Sequence, residues 1–117
     1  MKKIYYLSSC TTCKRILEAL RPPASYVLQD IKEEPITAAQ LEELRKLAGS
    51  YEALFSKRAR LFREQGLDKK SIDEAGYKKL LLGHYTFLKR PVIVSEDEIF
   101  IGNSPKSVTA AKSSIHH

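Results

Sequence analysis

A change of periodicity near the N-terminus restricts this chain more than anything else in it. Lys2 to Leu7 is a short β-rich run, which Ser8-Ser9 break in a turn. From Thr11 the pattern becomes helical, with Cys13, Ile16, Leu17 and Leu20 recurring at helical spacing. Arg21-Pro22-Pro23 stops that helix, and Ser25 to Asp30 reads as a second strand. Strand, helix and strand in this order make a βαβ opening. Cys10 and Cys13 fall at its strand-to-helix junction.

The middle of the chain reads as helical. Thr37 and Gln40 have capping-box spacing ahead of Leu41, Leu44 and Leu47, and Gly49 is the stop. A second helical segment is expected from about Tyr51 to Gln65, ended by Gly66. A third is expected from near Ser71 through Leu82, with Ser71 and Glu74 repeating the capping-box spacing. Arg90-Pro91 then introduces Val92-Ile93-Val94, a polar turn at Glu96-Asp97 and Ile99-Phe100-Ile101, which together read as a hairpin. Ser104-Pro105 opens a last helix, with serine as cap and proline at the first position.

A chain of 117 residues fits one domain and can hide enough surface for a core without metal or disulfide staples. Hydrophobic residues at 43% and charged ones at 29% exclude wholesale disorder. No apolar run approaches the ~18 residues of a membrane span, and Ile4 to Leu7 is too short for a signal-peptide core. A cytoplasmic protein is therefore expected. With 20 Lys+Arg against 14 Asp+Glu the net charge is +6, which suits an anionic partner. The charges are interspersed, however, and the densest cluster, Lys57-Arg58-Ala59-Arg60-Leu61-Phe62-Arg63, reads as a solvated helix face.

Cys10 and Cys13 are the only cysteines. A structural zinc site needs four ligands, and only His84, His116 and His117 could complete one, the last two at the chain end. The pair is thus either a redox dithiol or two small residues packing a helix start. The junction favours the dithiol. An isolated thiol with a pKa near ~8.5 is mostly protonated at neutral pH, whereas unpaired N–H groups and the dipole at a helix start stabilise a thiolate. Cys10 is the expected nucleophile, Lys14 and Arg15 add positive charge nearby, and Cys13 is spaced to attack a mixed disulfide on Cys10.

Ser9-Cys10-Thr11-Thr12-Cys13-Lys14-Arg15, Gly66-Leu67, the run His84-Tyr85-Thr86-Phe87-Leu88-Lys89-Arg90-Pro91-Val92-Ile93-Val94, and Gly102 together resemble the arsenate reductase/Spx family. The resemblance spans nearly the whole chain. Its most specific part is leucine, a basic residue and Arg-Pro followed by an aliphatic strand. It implies an α/β, thioredoxin-like fold with a mixed four-stranded sheet, interrupted by a helical insertion over about residues 37–82. In such a fold a proline, usually cis, precedes the strand that brings backbone up to the dithiol. Pro91 stands in that position, an ordinary trans proline opening a strand being the alternative.

The family holds different functions. Glutaredoxin-dependent arsenate reductases are similar at Cys10, their attacking thiolate, and at Arg90, an oxyanion-binding arginine. They usually carry Asn-Pro where this chain has Ser8-Ser9. They commonly have a further arginine near the last helix, where it reads Gly102-Asn103-Ser104-Pro105. Spx-type regulators are similar in the Cys10–Cys13 pair and carry an arginine in the middle helix, which Arg58 matches. They bind the C-terminal domain of the RNA polymerase α subunit through the start of the insertion, near Gly49-Ser50 here.

The resemblance thus implies a thiol-dependent oxidoreductase with no bound cofactor. Cys10 would attack an oxyanion or disulfide and Cys13 resolve, with Arg90 and Arg58 as the cationic groups. Glutathione, glutaredoxin or thioredoxin would be the external reductant. The alternative is an Spx-type redox-sensing regulator that binds the polymerase α subunit, and a structural module with an inert dithiol ranks behind both. Neither leading alternative implies a membrane or direct nucleic-acid binding.

Overall fold

Side chains alternate along Lys2–Tyr6, so Ile4 and Tyr5 point to opposite faces, and both are fully buried. A strand buried on both faces belongs inside a sheet. In the computed structural model, which describes residues 1–116 and leaves His117 of the terminal histidine pair outside, Lys2–Tyr6 (β1) is such a strand. It pairs in parallel with Val27–Asp30 (β2) and antiparallel with Val92–Ser95 (β3), and β3 pairs antiparallel with Glu98–Ile101 (β4). The order β2-β1-β3-β4 makes the mixed four-stranded sheet expected above.

Two compact units divide the chain: Met1–Glu34 with the chain from Arg90 on, and Pro35–Lys89. In the first unit, Thr11–Leu20 (α1) crosses between the two parallel strands. Arg21 ends α1 in a left-handed conformation at φ 46°, its N–H bonded to the Leu17 carbonyl, immediately before the Pro22-Pro23 pair that blocks continuation. Ile16 and Leu20 of α1, Ile4 and Ile93 of the sheet, and Ala111 and Ile115 of the last helix share one core. That helix, Pro105–Ile115, starts with the Ser104 hydroxyl accepting from Ser107 N–H at 3.2 Å and Pro105 in its first turn.

The second unit holds Ala38–Ala48 (α2), Arg60–Glu64 (α3) and Glu74–Gly83 (α4), joined by short 3-10 segments. Thr37 and Gln40 form the expected capping box on α2, and Gly49 ends it at φ 97°, where only glycine is unstrained.

Two expectations here are corrected. Tyr51 to Gln65 is not a continuous helix. Glu52–Leu54 is a 3-10 turn, Phe55 is extended and forms an antiparallel bridge with Leu88, and α3 begins only at Arg60. The bridge carries Ser56 N–H to the Phe87 carbonyl at 2.7 Å and Lys89 N–H to the Leu54 carbonyl at 2.9 Å. It also sets the Phe55 ring among Phe62, Tyr77 and Phe87, with centroids 4.9–5.6 Å apart. Burying a ring of that size is worth roughly 2–3 kcal/mol, more than local helix propensity offers over the same residues.

Nor does Ser71 with Glu74 cap the next helix. Asp73 caps α4 by accepting from Gly76 N–H at 2.8 Å. The Glu74 carboxylate turns instead to the N–H groups of Tyr51 and Glu52 at 2.7 and 3.1 Å.

Candidate active site at the first strand-to-helix junction

β1 ends at Tyr6, and Ser8-Ser9 turn the chain so that Cys10 becomes the residue capping α1. Its backbone is extended, at φ −95° and ψ 113°. Its N–H donates to the Leu7 carbonyl at 3.0 Å, and its carbonyl accepts from Lys14 N–H at 3.1 Å. The side chain makes no capping hydrogen bond, so the sulfur is not spent on closing the helix. Cys10 is half-buried, whereas Cys13, one turn on, is completely buried.

The register of the sheet brings Arg90 here from far along the chain. Tyr5 lies opposite Val92 in an antiparallel pair. Followed one way, that pairing leads to Leu7 and the cysteine turn; followed the other, to Pro91 and Arg90. The Arg90–Pro91 bond is cis, and the Pro91 carbonyl accepts from Gly102 N–H at 3.0 Å, tying it to the residue after β4.

The two thiols sit in opposed electrostatic surroundings. Burial pushes the Cys10 thiol up. The Cys13 N–H and thiol, the Arg90 guanidinium and the Thr12 N–H together outweigh it and leave Cys10 below its ordinary value. The N–H groups of Thr12 and Cys13 belong to the first turn of α1, where no carbonyl partner exists within the helix. Burial likewise pushes Cys13 up, and the neighbouring Cys10 adds to it. The Leu7 N–H and Arg90 oppose without prevailing, and Cys13 ends at about 11. Of the two thiols, then, Cys10 is the more readily ionised, and Cys13 keeps its proton at neutral pH.

Cys10, Cys13, Arg90 and Pro91 therefore all belong to one unit. Arg58 belongs to the other. It is exposed in the turn before Ala59 rather than in a helix, which corrects the middle-helix reading. Lys14 and Arg15 are exposed on α1.

Sequence reasoning missed Asp30, the last residue of β2. Its carboxylate accepts from Ser8 N–H at 3.3 Å and Lys32 N–H at 3.2 Å. The Ser8 hydroxyl bond leads the causes that hold Asp30 below the usual carboxylate range, with Lys32 helping. An aspartate closing a strand two residues before a backbone N–H it can reach was the available signal.

Among the described residues no group of His, Cys, Asp and Glu side chains could hold a metal ion, and no helix is long and apolar enough to cross a membrane. Two neighbouring thiols of unequal acidity are chemically suited to thiol–disulfide exchange.

Comparison with known proteins agrees on the fold. Residues 5–111 match the model of the ArsC family. The global transcriptional regulator Spx 1 of Bacillus cereus is 24% identical over 106 residues, covering 87% of this chain and 79% of that protein. The arsenate reductase from Vibrio cholerae superposes with a TM-score of 0.77 over 94% of this chain and 96% of its own, at 18% identity. An arsenate reductase (ArsC) related protein from Brucella melitensis superposes with a TM-score of 0.69 over 93% and 92%, at 27% identity.

Proposed function

The chain belongs to the ArsC family, and from that premise we propose that it is a thiol-dependent oxidoreductase in which Cys10 attacks and Cys13 resolves. The observation that carries this reading is the opposed displacement of the two thiols, Cys10 downward and Cys13 to about 11.

With a disulfide substrate, the Cys10 thiolate attacks one sulfur, a Cys10–substrate disulfide forms, and the other substrate sulfur leaves as a thiolate. Cys13 then loses its proton to that leaving thiolate or to water and attacks Cys10 Sγ. The remaining substrate thiolate is expelled, and an internal disulfide holds the oxidised equivalents. Glutathione, glutaredoxin or thioredoxin supplies two electrons to reopen it. The raised Cys13 value delays the second step until a thiolate leaves. Arg90 offsets negative charge at the attacking sulfur, and its planar guanidinium suits a tetrahedral oxyanion if the substrate is one.

The Spx relatives support a second reading, in which closure of the same disulfide alters a surface for the RNA polymerase α subunit. One experiment separates the two. Reduced protein is assayed for glutathione-coupled reduction of arsenate and of a mixed disulfide. Binding to the C-terminal domain of the polymerase α subunit is measured beside it, in reduced and oxidised states. Turnover that Cys10→Ser abolishes supports the reductase. Redox-dependent binding to that domain without turnover supports the regulator. In either case mild oxidation should remove two hydrogens from the wild type, whereas Cys13→Ala should accumulate a thiol adduct on Cys10.

A further inference from the structure

Within the Pro35–Lys89 unit, and independent of the cysteines, lies an open concavity of about 830 Å³. Its size is that of a small organic ligand's site, roughly 300–1,000 Å³. Leu61, Ile72 and Leu80 line it, each only half-buried, with the buried Phe87 ring beside them. Apolar side chains left half in water around one hollow gain by being covered.

The charged groups around this hollow are Lys70, Lys79 and Asp73. Asp73 is committed to the N-terminus of α4, its Oδ1 accepting Gly76 N–H at 2.8 Å. Both lysines are exposed, and among the described residues neither is in an ion pair. His84 also lines the hollow. Its Nδ1 accepts from Thr86 N–H at 3.0 Å, so the neutral ring carries its proton on Nε2 as a further donor.

An apolar hollow with unpaired cations and a donor at its edge is complementary to one kind of molecule. We propose that this concavity binds a small amphipathic organic anion, its aliphatic or aromatic body on Leu61, Ile72 and Leu80 and its acidic head at Lys70 and Lys79. A neutral apolar molecule would leave the lysines without gain. A bare inorganic anion would leave the apolar wall in water.

The test is a titration of the ¹⁵N-labelled full chain with decanoate, beside decylammonium as the charge-reversed amphiphile and inorganic phosphate as head group alone. Decanoate should give saturable shifts at the amides of Ile72, Gly76, Leu80 and Gly83, phosphate none there, and decylammonium weaker ones. Replacing both lysines, Lys70→Glu with Lys79→Glu, should weaken decanoate roughly tenfold and strengthen decylammonium. Both positions are exposed, and unchanged shifts elsewhere in the spectrum verify that the variant folds. Four results would overturn the proposal: equal binding of the two amphiphiles, shifts centred on the exposed Val27 and Leu28 instead, no saturable shift, or the same amides shifting with protein concentration alone. The last would assign the hollow to a second copy of the chain.

Discussion

The Ser8 N–H donates to Asp30 Oδ1 at 3.3 Å, fastening the turn that carries Cys10 to the end of the neighbouring parallel strand. Tyr6 lies in register with Asp30, so the strand pairing itself brings the carboxylate to the turn. Two consequences of replacing Asp30 oppose each other. Losing a negative charge near the site favours the Cys10 thiolate, whereas loosening the turn misaligns the sulfur with the first-turn N–H groups of α1. The bond is expected to win. Asp30→Ala should slow Cys10 alkylation several-fold across the pH profile, while Asp30→Asn, which keeps an acceptor oxygen, should retain most of the rate. Faster alkylation in both variants would show that charge, not the bond, is what Asp30 contributes.

Cys10 should alkylate well before Cys13 in the native protein at neutral pH. Cys10 is half-buried with a lowered pKa, and Cys13 is buried with a value of about 11. Peptide mapping after a short iodoacetamide pulse reads the order directly. Cys10→Ser should leave Cys13 nearly inert until the protein is denatured. Cys13 labelled first would reverse the assigned roles.

Arg90 lowers both thiols, so Arg90→Ala should move the rate–pH profile of Cys10 alkylation to higher pH. Arg90→Lys should keep that profile closer to wild type yet still cut turnover of an oxyanion substrate several-fold, because an ammonium cannot make the paired bonds of a guanidinium. Arg58→Lys, at an exposed turn, should cost less. Equal losses from the two substitutions would give Arg58 an equal share in the chemistry.

Acid should weaken the fold through Glu42. Its carboxylate accepts from Arg45 at 2.6 Å and from the Tyr51 hydroxyl at 2.6 Å, bonds that hold it at about 2 against an ordinary 4.5. A folded-state value below the unfolded one stabilises the protein above pH 4.5, and that contribution disappears as pH falls from 4.5 towards 2. Asp30, also lowered, acts with the same sign. Urea midpoints at neutral pH and within that acid window should therefore converge between wild type and Glu42→Gln as pH drops. Curves that stay parallel would mean the bonds are already lost in solution.

Much of this protein could be read locally. The change of period after Ser8-Ser9, the Thr37–Gln40 capping box, the Glu96-Asp97 turn and the Ser104-Pro105 helix start all depend on residues within a few positions of one another. Their physics is complete in a short peptide: a cap needs only its own helix, and a tight hairpin only its own strands. The Cys10–Cys13 spacing belongs to the same class, which is why the dithiol was visible before any fold was.

Tertiary structure decided the rest, because the deciding partners are distant in sequence. Phe55 is extended rather than helical because Leu88 and the rings of Phe62, Tyr77 and Phe87 reward that conformation. Glu74 leaves helix capping to Asp73 because two N–H groups at Tyr51 and Glu52 need an acceptor. The rise of the Cys13 thiol was equally out of local reach. It depends on burial that only the assembled fold provides. The lowering of Cys10 by the Cys13 and Thr12 N–H groups is local, and Arg90, arriving through the antiparallel register of Tyr5 with Val92, adds to it. Spacing determined that two thiols could react with each other; desolvation of Cys13 by the assembled fold widened the difference between them, leaving Cys10 the more readily ionised.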